Sequence, residues 1–138
     1  MSDFTLSARV ATPYEKTVER VRDLLADAGF GVLTEIDLAA TLHAKLGVES
    51  TPRVILGACR PQLAHQALEL DARVATLLPC NVVIAAADEG ATVEVFDPAV
   101  ISDFSPALTE VAAEARERLS AMMNALTNDQ ENSDAARA

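Results

Sequence analysis

The sequence predicts an α+β fold: a two-layer sandwich with helices packed on one face of a mixed, largely antiparallel sheet of about five strands. Three observations carry this. The N-terminal third switches from a period of two to a helical period and back, two segments are apolar without interruption, and the last core-forming stretch is a long amphipathic helix. With 138 residues, 50% hydrophobic and 23% charged, the chain suits one compact domain, expected over residues 1–126.

Phe4, Leu6, Ala8 and Val10 alternate with Thr5, Ser7 and Arg9, as in a half-buried strand. Thr12-Pro13-Tyr14-Glu15 reads as a capping box with proline at the first helical position. Tyr14, Val18, Val21, Leu24, Leu25 and Ala28 then recur at spacings of three and four, and Gly29 ends the helix. Alternation returns from Gly31 to Leu38, which reads as a β-α-β unit. Asp37 caps a short helix, Leu38 to Leu46, closed by Gly47. Arg53 to Cys59 has no polar face and reads as a central strand, with Gly57 marking a bulge or a close approach.

Pro61 opens a helix through Leu70, and Ala72 to Leu78 forms a helical turn ended by Pro79. Cys80 to Ala87 is again uninterrupted apolar strand, Asp88-Glu89-Gly90 has hairpin chemistry, and Ala91 to Phe96 alternates. Asp97-Pro98 breaks the pattern. Ser105-Pro106 starts a helix to about Leu126, with Leu108, Val111, Ala112, Ala115, Leu119, Met122 and Leu126 on one face. Residues 127–138 carry too little apolar surface to offset their ordering entropy and are expected to form a flexible acidic polar tail.

A net charge of −10 repels phosphate backbones, and the few aromatics are not interleaved with Lys or Arg, so nucleic acid is excluded as an expected partner. No apolar stretch approaches the ~20 residues that span a bilayer. The N-terminus, Met-Ser-Asp-Phe-Thr, lacks signal-peptide features, and the protein is expected to be cytoplasmic and not membrane-bound. Two cysteines are too few for a disulfide-stapled scaffold and are expected as free thiols.

Gly29-Phe30-Gly31-Val32-Leu33, Glu35-Ile36-Asp37, Lys45-Leu46-Gly47, Ile55-Leu56-Gly57-Ala58-Cys59-Arg60-Pro61 and Leu78-Pro79-Cys80-Asn81-Val82 follow one another at characteristic spacing. In these motifs the chain resembles the domain of unknown function 302 family over most of residues 4 to 126. The resemblance implies a compact α+β fold, often dimeric, with no established biochemical activity. It also implies asparagine between the first cysteine and its proline, where this chain has Arg60.

Candidate site residues cluster around the two cysteines. Cys59 precedes the helix opened by Pro61, whose dipole would favour its thiolate. If the strands bearing Cys59 and Cys80 are neighbours, their sulfurs could approach. Arg60, Pro61 and Asn81 flank them, and a polar amide at the head of an apolar strand needs a partner. His65 is a secondary candidate as a base. The alternative is that both cysteines simply pack as small hydrophobes.

No metal site is expected, since a closed zinc site wants four ligands and only His43 and His65 could add to the cysteines. Glu35 and Asp37 share a strand face but read as a solvated edge and a helix cap, and Met122-Met123 as core or dimer contact. No phosphate loop, dinucleotide fingerprint or nucleophile elbow occurs. The sequence therefore leaves enzymatic activity and cofactor open. Three readings survive: a homodimeric binding or sensor module with a cysteine-lined pocket for a small molecule, a thiol-dependent redox or sulfur-handling protein, and a structural interaction domain. The homodimer expectation comes from the helix-free sheet face, which two all-apolar strands favour burying.

Overall fold

The computed structural model describes the backbone of residues 3–137 and the side chains of residues 3–129. Its strands are β1 (Thr5–Val10), β2 (Gly31–Asp37), β3 (Arg53–Cys59), β4 (Cys80–Ala87) and β5 (Gly90–Phe96). Its helices are α1 (Tyr14–Asp27), α2 (Leu38–Leu46), α3 (Pro61–Leu70), α4 (Ile101–Phe104) and α5 (Thr109–Arg137). The five strands form one sheet in the order β1-β5-β4-β3-β2. This is the α+β architecture that the patterning predicts.

Every neighbouring pair is antiparallel, so the expected mixed sheet is corrected to a uniformly antiparallel one. β1 and β2 run in the same direction but occupy opposite edges, with the three later strands between them. The β-α-β reading holds for chain order and not for pairing. Antiparallel neighbours need only short connections, and the turn Asp88-Glu89 joins β4 to β5 directly.

α1 and α5 cover one sheet face. Val21, Leu24 and Leu25 of α1 and Leu119, Met122, Met123 and Leu126 of α5 meet Val54, Leu56, Val82, Ile84, Val93 and Val95 in one buried cluster. Each such large side chain contributes about 1.5–3 kcal/mol by leaving water. The paired methionines are therefore core residues.

Local signals explain most element ends. α1 closes in a Schellman motif: Phe30 N–H donates to the Leu25 carbonyl and Gly29 N–H to that of Ala26, with Gly29 at φ +89°. Asp37 caps α2 by accepting from Ala40 N–H at 2.9 Å, and Gly47 ends it at φ +69°. Gly57 marks a close approach, since a Cβ there would collide with Thr34 Oγ1 and lie 2.8 Å from Pro79 Cγ.

Three local expectations are corrected. The α1 N-cap is the extended Pro13 with no side-chain capping bond, so proline stands outside the first helical position. The buried Thr17 hydroxyl donates to the Thr12 and Pro13 carbonyls. Residues 98–104 are not merely a break: Asp97 accepts from Ala99 N–H at 2.9 Å and opens a 3₁₀ turn, Pro98–Val100, that runs into α4. α5 starts at Thr109 after a 3₁₀ turn, Pro106–Leu108, and continues past Leu126 to Arg137. Thr127 Oγ1 donating to the Met123 carbonyl and Arg20 pairing with Asp129 support the first turn of that extension. Ala138 and the side chains beyond Asp129 lie outside the described residues.

A second apolar cluster forms beside the main core, where Ala67 of α3, Val74 of the 3₁₀ turn Ala72–Leu77, Ile101 of α4, Leu108 and Ala112 pack together.

Candidate functional site

Ala58 stands opposite Cys80 in the β3–β4 register, so the end of β3 and the start of β4 lie side by side. Between that end of the sheet, α3, α4 and α5 remains a partly enclosed cavity of about 50 Å³. Its wall is mostly apolar, with Phe30 as its one aromatic side chain, and five lining positions are alanine (Ala58, Ala64, Ala67, Ala112 and Ala115). These short side chains leave the space open. Cys59, Arg60 and Cys80 are the lining residues whose side chains carry a reactive or polar atom.

Both thiols are free. Alternation along the strands places Cys80 with Val82 and Ile84 on the helix-covered face, and Cys59 with Gly57 and Ile55 on the other. They reach the cavity because each terminates its strand there. Burial pushes the Cys80 thiol up to about 11, with the nearby Cys59 charge adding to it. Burial also pushes Cys59 up, which corrects the expected thiolate-favouring effect of the α3 dipole. A helix terminus is worth about 0.3–1 kcal/mol at exposed positions, and desolvation of a thiolate outweighs it here.

Arg60 is the N-cap of α3 and makes no side-chain capping bond. Its Nη1 donates to the Gly29 carbonyl at 3.4 Å, while Arg118 Nη1 donates to that of Ala28 at 3.3 Å. Two cations thus meet the orphan carbonyls at the end of α1. Gly29 is favoured there by its positive φ, and a Cβ would have to displace the far end of the Arg60 side chain. Arg60 Nε is buried and has no hydrogen-bond partner. Among the described residues no carboxylate pairs with Arg60, whereas Arg118 pairs with Glu114 at 3.2 Å.

The other candidates lie elsewhere. Pro61 is exposed at the first position of α3 and does not line the cavity. Asn81 is exposed, opposite Gly57 on the face that α1 and α5 leave free. The His65 side chain is 75% exposed, bonds Glu69 at 3.0 Å, and is too solvated to serve as a base for either thiol. Glu35 pairs with Arg22 at 2.5 Å and Asp37 caps α2, so the two carboxylates have separate structural duties.

Sequence reasoning missed the far wall, chiefly Pro98, Ile101 and the α3 and α5 alanines as a group. The signal was present: Ala64/Ala67 and Ala112/Ala115 repeat at i, i+3 on two apolar helix faces. The wall is tied together by Asp71, which accepts from Ser105 Oγ at 2.7 Å and pairs with Arg73. The Arg73 and Ser105 bonds hold the Asp71 carboxyl well below the usual carboxylate range.

Fold and site define a class: an antiparallel α+β sandwich whose sheet ends in a small apolar cavity bearing two free thiols and an arginine. Among the described residues there is no cluster of three or more His, Cys, Asp or Glu that could hold a metal, and no helix long and apolar enough to cross a membrane. The chain belongs to the family described as domain of unknown function DUF302, whose pattern matches residues 6–126. It is similar to the crystal structure of an uncharacterized conserved DUF302 protein from Bacillus stearothermophilus, at 32% identity and a TM-score of 0.83, over 89% of this chain and 98% of that one. No curated protein matches the chain.

Proposed function

We propose that this protein is a small-molecule binding or sensor module whose ligand occupies the cavity at the end of β3 and β4. The observation that carries the reading is an apolar cavity of about 50 Å³ with a buried guanidinium nitrogen left unpartnered beside it. Ligand sites are typically apolar with a few placed polar groups, and this one has that composition at a much smaller volume than a drug-sized pocket. Residues 1–126 act as one domain in this reading, and the free thiols suit a reducing cytoplasm.

The test is a titration of ¹⁵N-labelled protein with isobutanol, a neutral probe of the cavity's size. Amide shifts concentrated at Leu63, Ala67 and Ala112 are expected, and they should vanish in the cavity-filling variant Ala112→Leu. Shifts that persist unchanged in that variant would place binding elsewhere. The thiol-dependent reading is less well supported, because both sulfurs are held protonated at neutral pH and enter the cavity from different sheet faces.

A second observation favours a homodimer through the free sheet face. Ile36, Ile55 and Val83 form one apolar row across β2, β3 and β4 in register, and Ile36 is 45% exposed. Although the chain carries −10 overall, Arg9 and Arg53 share this face with Glu94. A second copy could therefore meet it without the repulsion expected elsewhere.

A further inference from the structure

The Arg60 side chain narrows the ligand. Its Nη1 edge is committed to the Gly29 carbonyl, and its Nε is buried without a partner. A buried donor left unsatisfied costs about 1–3 kcal/mol, a cost that an acceptor placed beside it would remove, and Arg60 is among the residues that line the cavity. The acceptor that best matches the free edge of a guanidinium is a carboxylate, which takes two parallel N–H bonds. Phosphate fits poorly: a strongly hydrated, more highly charged ion would enter an apolar cavity in a protein of net charge −10. Apart from the Cys59 and Cys80 thiols, the remaining side chains of the wall, including Ala58, Leu63, Ala67 and Ala112, offer only hydrocarbon.

Size sets the chain length. At roughly 10–15 Å³ per enclosed water-sized group, a cavity of about 50 Å³ holds about four such groups, the four carbons of a branched acid whose two oxygens lie beyond them against Arg60. From these constraints we infer that the cavity takes a short aliphatic monocarboxylate, with its hydrocarbon among the alanines and its carboxylate on the Nε edge of Arg60. This inference deepens the binding reading above and depends on it. The two thiols lie beside the site and take no covalent part in it.

The experiment titrates the full chain with three probes of one shape: isobutyrate, isobutyramide and isobutanol, each followed by ¹⁵N amide shifts at pH 7. The wild-type protein is expected to bind isobutyrate at least tenfold more tightly than isobutyramide. Arg60→Gln should lose at least tenfold in isobutyrate affinity and no more than about threefold in isobutanol affinity. If Arg60→Gln does not fold, Arg60→Lys serves, with at least a threefold loss for isobutyrate and a smaller loss for isobutanol. Equal binding of isobutyrate and isobutyramide by the wild type overturns the carboxylate inference and leaves the cavity reading intact. So does inorganic phosphate that displaces isobutyrate. Failure of all three probes to perturb the cavity amides overturns both.

Discussion

Arg60 and the two cysteines behave as they do because of where the chain leaves them relative to water. Cys80 is buried and its thiol is pushed up to about 11, so its protonated form is favoured by the fold. A raised folded value stabilises the protein fully below the ordinary thiol pKa of about 8.5. That contribution falls away as pH rises towards about 11. Denaturant melts between these values are expected to show an alkaline loss of stability that is smaller in Cys80→Ala. Iodoacetamide should alkylate Cys59 more slowly than a free cysteine at pH 7, and Cys80 more slowly still, with both rates rising as pH increases. A fast-reacting thiol at pH 7 would contradict this assignment and revive redox chemistry. The cysteines were legible as a locus because each sits beside a proline at the end of an apolar run. Their acidity was not legible, since it depends on burial by α3, α4 and α5, which come together only in the folded chain.

Among the elements, periodic segments were readable and the connections between them were less so. β3 and β4 announce themselves as apolar runs, and α1 as a stripe ending in glycine. α4 and its preceding 3₁₀ turn were hidden because Asp97-Pro98 reads equally as a stop or as a helix start. One tight position in the sheet is Gly57 of β3, where Thr34 and Pro79 close over the missing side chain. Gly57→Ala is expected to cost about 1–3 kcal/mol in denaturant unfolding, the usual penalty for overpacking. No measurable loss would mean that Pro79 gives way. On α5, Ala112→Leu should raise stability by about 0.5–2 kcal/mol if the cavity accepts the added carbons. A loss instead would show that the wall has no room to spare.

At the scale of the whole molecule, α1 and α5 cover one face of the sheet and leave Ile36, Ile55 and Val83 on the other. Analytical ultracentrifugation is expected to find a dimer that Ile55→Asp converts to a folded monomer. A monomeric wild type would retire the dimer proposal. The sequence by itself determined the kind of fold and the order of its elements, because periods of two and 3.6 are local properties of which residues must leave water. It also singled out the segment, Cys59 to Pro61, from which one of the cavity's two thiols and its arginine come. Only the tertiary structure decided that β1 and β2 lie at opposite edges, that every strand pair is antiparallel, and that Cys59 and Cys80 share a cavity while Asn81 and His65 stay in solvent. The reason is physical: pairing partners and cavity walls arise from contacts between residues far apart in the chain, and no local spacing encodes which of those contacts forms.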